Sequence, residues 1–470
     1  MEHLGLIGIG VMGGALALNL SQNGHDVSML DRTSSKMEKV VNESKTDAHI
    51  GTLSAYLDVQ EFVQSLPIPR AILVLVPSGV PLRSVINSLI PFLEEGDLVA
   101  DLGNSNWQDT EAHSKNLSEI GLAYLGVGIS GGAEGARRGP SIMAGGTEEA
   151  WARIAIPLKN ASAKFEDFPC CDWFGPGGSG HFIKMVHNGI EYAFMQLIAE
   201  AYGMMRDGFE MSAQEIGAIF EDWSEGPLRS YLIEIAAEVA LAKDPDTGRP
   251  MLDVILDTAG QKGTGRWSVI EGLHLAAPIS IITGSVEARN ISAETDVRKN
   301  GEQIFGPGYR AIREDRAIFL NDLKAAMLAG KIMAYGQGFE ILSRASEEHG
   351  WNLGLAAISR VWRAGCIIRS GLLDQFAAIF EADAKADLAF TDAFLEEMRA
   401  GTESLTRIVP KAISAGHPIP SFSAALSYHN ARRSGRVTAN MIQALRDRFG
   451  AHGFERTDRD RGETFTGPWH

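Results

Sequence analysis

Leu4-Gly5-Leu6-Ile7-Gly8-Ile9-Gly10-Val11-Met12-Gly13 is the stretch that decides the fold. Residues 4–9 read as a buried strand, and 12–22 as the helix that follows it. Between them Gly8-Ile9-Gly10-Val11-Met12-Gly13 has the form G-x-G-x-x-G. Alone that motif is weak. Placed after a strand, opening a helix, at the head of a βαβ unit, it reads as a phosphate-binding turn. Gly8 permits the tight turn, Gly10 lets backbone approach a pyrophosphate, and Gly13 lets helix and strand pack closely. The helix N-terminus adds free N–H groups and a positive dipole end. A dinucleotide cofactor is the expected ligand.

Working outward, Asp26-Val27-Ser28-Met29-Leu30-Asp31 reads as a second strand. Ala71 to Val76 is an apolar run cut by Pro77. Leu98 to Leu102 and Ala123 to Val127 are further runs. Short apolar strands alternating with helical stretches imply a parallel sheet covered on both faces. The character changes at Gly175-Pro176-Gly177-Gly178-Ser179-Gly180. Beyond it come long helical patterns: 182–205, 213–223, 228–241, 319–348 and 372–380. From about Ser434 the chain turns polar, and 455–470 holds too few apolar anchors to bury much by itself. The expected architecture is α/β plus all-α: a Rossmann-like doubly wound sheet over 1–177, a helical domain over 178–433, and a C-terminal tail over 434–470.

The bulk composition narrows the function classes. A chain of 470 residues is long enough for two or three domains. Its formal net charge is −16, which repels nucleic acid and anionic membranes. An anionic substrate therefore needs a local basic cluster. The three cysteines, Cys170, Cys171 and Cys366, form neither a disulfide framework nor a C-x-x-C metal pattern. They read as packing residues of a protein from a reducing cytoplasm. The N-terminus lacks a basic leader, and no apolar run is long enough to span a bilayer.

The chemistry concentrates on one helix. Lys184, His187, Asn188, Glu191 and Tyr192 stand at i, i+3, i+4, i+7 and i+8, on one face of an otherwise apolar helix. Such a row is either a solvated stripe or the wall of a cleft. In a cleft, Lys184 and Glu191 would serve as base and acid, because partial burial lowers the pKa of one and raises that of the other. Gln261-Lys262-Gly263-Thr264-Gly265 is a Gly-flanked lysine loop without Walker A spacing. Arg289, Arg446 and His452 are further candidates for an anion site, each unremarkable singly. Ser130-Gly131-Gly132 and Asn104 follow strands, at the carboxyl edge where open α/β sheets bind ligands.

Cofactor choice falls to the end of the second strand. Asp31 would hydrogen-bond a free ribose 2′-hydroxyl and favour NAD. Arg32, Thr33 and Lys36 would favour a 2′-phosphate and NADP. The two signals conflict.

Several blocks together resemble the 6-phosphogluconate dehydrogenase family along nearly the whole chain. They are the glycine turn, Asp101-Leu102-Gly103-Asn104-Ser105, 129–136, 170–173, Gly180 to Tyr192, 259–265, Arg363 to Ser370, and Arg446 to His452. The resemblance implies oxidative decarboxylation of 6-phosphogluconate with NADP, or NAD given Asp31, and no metal. It implies that Lys184 is the general base and Glu191 the proton donor. Asn104, Ser130, Gly131, Gly132, His187 and Asn188 would hold the sugar acid. Tyr192, Lys262 and Arg289 would bind its phosphate, joined by Arg446 and His452 from the second subunit of a homodimer. The glycine turn, Asp31-Arg32-Thr33, Val76-Pro77-Ser78 and Asn104 would line the cofactor. Three positions depart from the family pattern. Asp31 replaces Asn, Pro77 replaces Lys, and the segment from Phe465 to Trp469 lacks the usual His. A related β-hydroxyacid dehydrogenase for an unphosphorylated acid is the nearest rival. It would not need Lys262, Arg289, Arg446 and His452 together.

Overall fold

In the computed structural model, residues 2–45 and 50–469 are described. The N-terminal half is built on eight strands: β1 (His3–Ile7), β2 (Asp26–Leu30), β3 (Leu53–Tyr56), β4 (Ala71–Val74), β5 (Leu98–Asp101), β6 (Ala123–Ser130), β7 (Ser141–Gly146) and β8 (Cys171–Trp173). Their order in the sheet is β8-β7-β6-β5-β4-β1-β2-β3. All neighbours are parallel except β6 and β7. The stretch β3-β2-β1-β4-β5-β6 is the Rossmann order, whose direction of winding reverses between β1 and β4. The glycine turn leaves β1 at that reversal.

Alternate residues of each strand enter opposite cores, which is why the strands are apolar throughout. Leu4, Leu6, Leu73 and Ala100 pack with Leu16 and Leu20 of the helix Val11–Gln22. Ile7, Ile72, Val74 and Val99 pack on the other face with Phe62, Leu82 and Ile86. Each such fully buried aliphatic side chain stabilises by roughly 1.5–3 kcal/mol.

The sequence patterns locate most elements and miss several. β3, β7 and β8 are short or glycine-rich, with no alternation to betray them. The helix expected from Phe182 begins at Ser179, inside the glycine joint, and runs to Gly203. Past β8 no extended strand occurs among the described residues. Helices follow, including Thr264–His274, Ser280–Ala293, Arg316–His349 and Pro420–Arg432.

The chain forms two compact units, Met1–Ala425 and Leu426–His470. In the second, the helix Ala439–Gly450 is followed by a segment that closes on itself. Phe454 pairs with Phe465. Asp447 accepts Gly453 N at 2.8 Å, Gly467 N at 2.9 Å and Trp469 Nε1 at 2.5 Å. The tail is thus organised around one buried carboxylate despite its lack of an apolar core.

Candidate active site

The helix Ser179–Gly203 is buried over most of its length, its polar row included except for the half-buried Glu191. It lies directly on the sheet. A Cβ on Gly180 would stand 2.5 Å from the carbonyl oxygens of Gly126 and Met143, and one on Gly128 would stand 2.4 Å from Lys184 Cβ. Glycine is therefore required on both the helix and β6. Their close approach puts Lys184 beside Ser130, the last residue of β6.

Lys184, His187, Asn188 and Ser130 form one hydrogen-bonded cluster. Lys184 Nζ donates to Asn188 Oδ1 at 2.7 Å and to Ser130 Oγ at 3.2 Å, and lies 3.4 Å from His187 Nδ1. His187 Nε2 is 3.1 Å from Ser130 Oγ, and its Nδ1 is 3.0 Å from Asn188 Oδ1. Asn188 Nδ2 donates to Thr264 Oγ1 at 2.9 Å. Glu191 Oε2 is 3.8 Å from His187 Nδ1. Beneath the cluster the Trp362 ring meets the His187 ring edge-on, centroids 5.8 Å apart.

Burial sets the protonation tendencies. It lowers the pKa of Lys184, and only partly do Glu191 and Cys366 oppose it. It pushes His187 well down, helped by the neighbouring Lys184. It raises Glu191, against the pull of Lys184 and Arg289. An amine driven toward its neutral form and a carboxyl driven toward its protonated form are matched as base and acid.

A basic edge adjoins the row. Arg289 stacks its guanidinium 3.4 Å from the centre of the Tyr192 ring. It also donates to Gly260 O at 3.3 Å, and Gln261 Nε2 donates to Asn290 Oδ1 at 2.6 Å. These bonds tie the lysine loop to the helix Ser280–Ala293, with Lys262 exposed at the loop's tip. Tyr192 is held from below by Gly265, where a Cβ would stand 2.4 Å from the ring.

The Ser130-Gly131-Gly132 turn is supported from the helical half. Gly131, at φ +114°, has Gly365 O where its Cβ would project, and Gly365 O accepts Ser141 N at 2.9 Å. This contact is the structural use of the Arg363 to Ser370 block.

The glycine turn fits a dinucleotide. Gly8 has φ +95°, and a Cβ there would stand 2.4 Å from Leu75 O; a Cβ on Gly13 would stand 2.0 Å from Gly8 O. Gly10 would meet nothing within 4 Å. The space beside it is open, and the first helical turn carries no acidic residue and no side-chain cap. Its N–H groups are free for an anion. Asp31 braces this turn: its carboxylate accepts Ile9 N and Thr33 N, each at 2.9 Å. Lys36 Nζ lies 3.6 Å away. Arg32 and Thr33 are exposed beside it, as is Pro77 at the β4 end, while Val76 and Ser78 are half-buried.

Asn104 is exposed on the loop after β5. The structure thus brings Ser130, Lys184, His187, Asn188 and Glu191 together, and Tyr192 with Arg289. Arg446 and His452 belong to the second compact unit, at the end of the helix Ala439–Gly450. Sequence reasoning gave no role to Thr264 or Trp362, and read Cys366 as a packing residue. Thr264 sat in a quoted block, but only three-dimensional packing shows it gripping Asn188. No group of three or more His, Cys, Asp or Glu able to hold a metal occurs among the described residues. No helix among them is long and apolar enough to cross a membrane.

Comparison with known proteins bears on both halves of the chain. Residues 3–175 match the family described as the NAD binding domain of 6-phosphogluconate dehydrogenase, and residues 180–469 match its C-terminal domain. A Chlamydia pneumoniae protein named 6-phosphogluconate dehydrogenase, decarboxylating, is 43% identical over 99% of this chain and 97% of its own. Bacillus subtilis (strain 168) has an NAD(+)-dependent relative at 44% identity and an NADP(+)-dependent one at 42%, each over 98% of this chain and 98% and 97% of their own. The solved 6-phosphogluconate dehydrogenase of Plasmodium falciparum superposes with a TM-score of 0.94 at 37% identity, covering 99% of this chain and all of that one. The chain belongs to the 6-phosphogluconate dehydrogenase family.

Proposed function

We propose that this chain oxidises 6-phosphogluconate at C3 and decarboxylates it, giving ribulose 5-phosphate and CO₂, with NADP or NAD as cofactor. The observation that carries the reading is the buried Lys184 amine, whose hydrogen-bond partners among the described residues are neutral, with the protonation-prone Glu191 on the same helix face. The names of the relatives support it, including one NADP(+)-dependent and one NAD(+)-dependent protein. So does the Plasmodium falciparum structure, whose description names NADP+ and 6-phosphogluconate.

Bound nicotinamide supplies a two-electron acceptor for the hydride at C3. The glycine turn and the helix start behind it would hold the pyrophosphate; Asp31, Arg32 and Thr33 would meet the ribose, and Val76-Pro77-Ser78 and Asn104 would line the rest of the cofactor. Neutral Lys184 takes the proton of the 3-hydroxyl as the C3 hydride departs. The product is a 3-ketone β to the carboxylate, which is its own electron sink. The C1–C2 bond breaks, its electron pair forms a C2–C3 double bond, and Lys184 returns its proton to the C3 oxygen. The resulting enediol takes a proton from Glu191 on the carbon that lost CO₂, while Lys184 removes the enol proton. A ketone results, leaving the amine protonated and Glu191 ionised; one proton passing from Lys184 to Glu191 by way of solvent resets both.

Asn104, Ser130, Gly131, Gly132, His187 and Asn188 hold the sugar acid in this reading. Tyr192, Lys262 and Arg289 take the phosphate, as fits a guanidinium already desolvated over a ring. Arg446 and His452 complete that site from the second subunit of a homodimer. Support for the dimer comes from the helix Ala439–Gly450, which exposes Met441, Ile442, Leu445 and Phe449 on a shared face. We read the chain as a cofactor domain over 1–177, a substrate and dimerisation domain over 178–433 and a tail over 434–470. Its three buried, unpaired cysteines suit a reducing cytoplasm. The test is growth of the near-ultraviolet absorbance of reduced nicotinamide when the protein meets 6-phosphogluconate and either cofactor. No growth with either, from folded protein, removes the reading.

A further inference from the structure

We propose that Asp101, Thr110 and His181 are positioning residues that lock the Asn104 loop to the helix carrying Lys184. The inference rests on the reading of Lys184 and Asn104 as parts of one hydride-transfer site. It concerns buried residues outside the substrate and cofactor roles assigned above.

Asp101 ends β5 and is fully buried. Its Oδ1 accepts Gly103 N at 2.9 Å, and its Oδ2 accepts Ser105 Oγ at 2.5 Å and Tyr124 OH at 3.4 Å. One carboxylate therefore grips the residues on both sides of Asn104 and leaves Asn104 itself pointing outward. A buried carboxylate with three donors resists movement, because each bond broken leaves an unsatisfied charge in a low dielectric.

The second half of the lock comes from the helix Ser179–Gly203. His181 stands in its first turn, on the N-terminal side of Lys184, and is as buried as Asp101. Its Nδ1 lies 2.6 Å from Thr110 Oγ1, and Thr110 belongs to the helix Trp107–Ser118 that continues the Asn104 loop. Among the described residues its Nε2 has no well-aligned hydrogen-bond partner; it lies 4.0 Å from Asp101 Oδ2, with the backbone of Asp101 and Gly103 also acting on the imidazole. Beside an anionic carboxylate the tautomer with hydrogen on Nε2 is favoured, so Nδ1 accepts from the threonine hydroxyl, for which Asn106 O at 3.2 Å is the more distant competitor. Burial lowers the His181 pKa, which keeps this arrangement neutral.

The strand between the two helices is cut away to allow the contact. A Cβ on Gly126 would stand 2.6 Å from Thr110 Cγ2 and 2.8 Å from His181 Nδ1. Asp101 thus fixes the loop from behind, and Thr110 with His181 fixes the loop's following helix to the helix of Lys184. Hydride transfer is sensitive to such alignment: a displacement of about 1 Å costs on the order of a hundredfold in rate.

The test uses the full-length enzyme with three substitutions: Thr110→Val, which keeps shape and removes the hydroxyl; Thr110→Ser, which keeps the hydroxyl; and His181→Asn. The expected result for Thr110→Val is a fall in kcat of about tenfold or more, with KM for 6-phosphogluconate and melting temperature near wild type. Thr110→Ser should restore most of the rate. With substrate deuterated at C3, the isotope effect on kcat should grow in Thr110→Val, because misalignment slows the hydride step itself. A purely structural defect lowers the active fraction and leaves the isotope effect unchanged. His181→Asn should behave as Thr110→Val does; if it fails to fold, the threonine pair decides alone. A Thr110→Val enzyme within about twofold of wild type, with an unaltered isotope effect, overturns the proposal. Absence of turnover in the wild type would instead overturn the functional reading, so the two failures are distinguishable.

Discussion

Lys184 Nζ donates to Asn188 Oδ1 at 2.7 Å, and among the described residues it forms no ion pair. An amide oxygen orients the amine without adding a negative charge to hold its proton. Burial is then free to drive Lys184 toward the neutral state a general base needs. Replacing it by methionine keeps the length and apolar stem and removes the base. Lys184→Met should lower kcat by about 10²–10⁴-fold, the usual worth of a positioned base. Substrate affinity measured by calorimetry should change little. A variant with near-normal turnover would remove Lys184 from its role.

The pH profile follows from the paired shifts. Lys184 must be neutral and Glu191 protonated at the start of turnover, so activity is lost on acidification as the amine charges and on alkalinisation as the carboxyl ionises. Lys184 is lowered and Glu191 raised, which draws the two limbs of the bell inward from about 4.3 and 10.4, the ordinary values for these groups. The expected kcat/KM profile is narrow and centred near neutrality. Glu191→Gln should remove one limb as well as slowing turnover. A rate independent of pH across that whole interval would contradict the assignment.

Asp31 predicts a cofactor switch. Its carboxylate braces Ile9 N and Thr33 N, with Lys36 only partly offsetting its charge, and a 2′-phosphate brought beside it would be repelled. Asp31→Asn keeps an acceptor oxygen for one of the two N–H groups and removes the charge. The ratio of kcat/KM for NADP to that for NAD should rise by about tenfold, equivalent to about 1.4 kcal/mol of relieved repulsion. An unchanged ratio would show that Asp31 does not read the ribose.

Lys331 is a buried amine outside the site and predicts a stability effect. It donates to Leu228 O at 3.2 Å, sits 5.0 Å from the Phe194 ring centre and has no carboxylate partner among the described residues. Burial brings its pKa down to about 7. The unfolded chain binds this proton up to the ordinary lysine range, so the folded state is penalised at and below pH 7 and relieved as pH rises toward 10. Lys331→Met should therefore be more stable than wild type at pH 7, by on the order of 2 kcal/mol, with the gap closing at alkaline pH. Thermal midpoints at both pH values check it; a variant less stable at pH 7 would contradict the account.

Legibility in the sequence followed the physics of each feature. The glycine turn and the apolar β1, β4 and β5 runs were readable because close packing and two-faced burial dictate residue type at every position. The polar row was readable because polar side chains at helical spacing stand out in an apolar helix. β7 escaped because Gly145 and Gly146 are chosen for what presses on them and not for strand propensity, and β8 because its three residues, Cys171–Trp173, are too few to show an alternation. Asp101 and His181 escaped because their meeting depends on β6 yielding space at Gly126, which no local pattern shows. Asp31 was read as a ribose contact alone, and its brace on Ile9 N was invisible because it joins residues from two different strands' ends.

The most direct test of the central claim is a stoichiometry. Purified enzyme is given limiting 6-phosphogluconate labelled at C1, and reduced nicotinamide and labelled CO₂ are measured together. The account predicts one of each per substrate consumed, with ribulose 5-phosphate as the remaining product. Reduced nicotinamide formed without CO₂, or neither formed by folded enzyme, would contradict it.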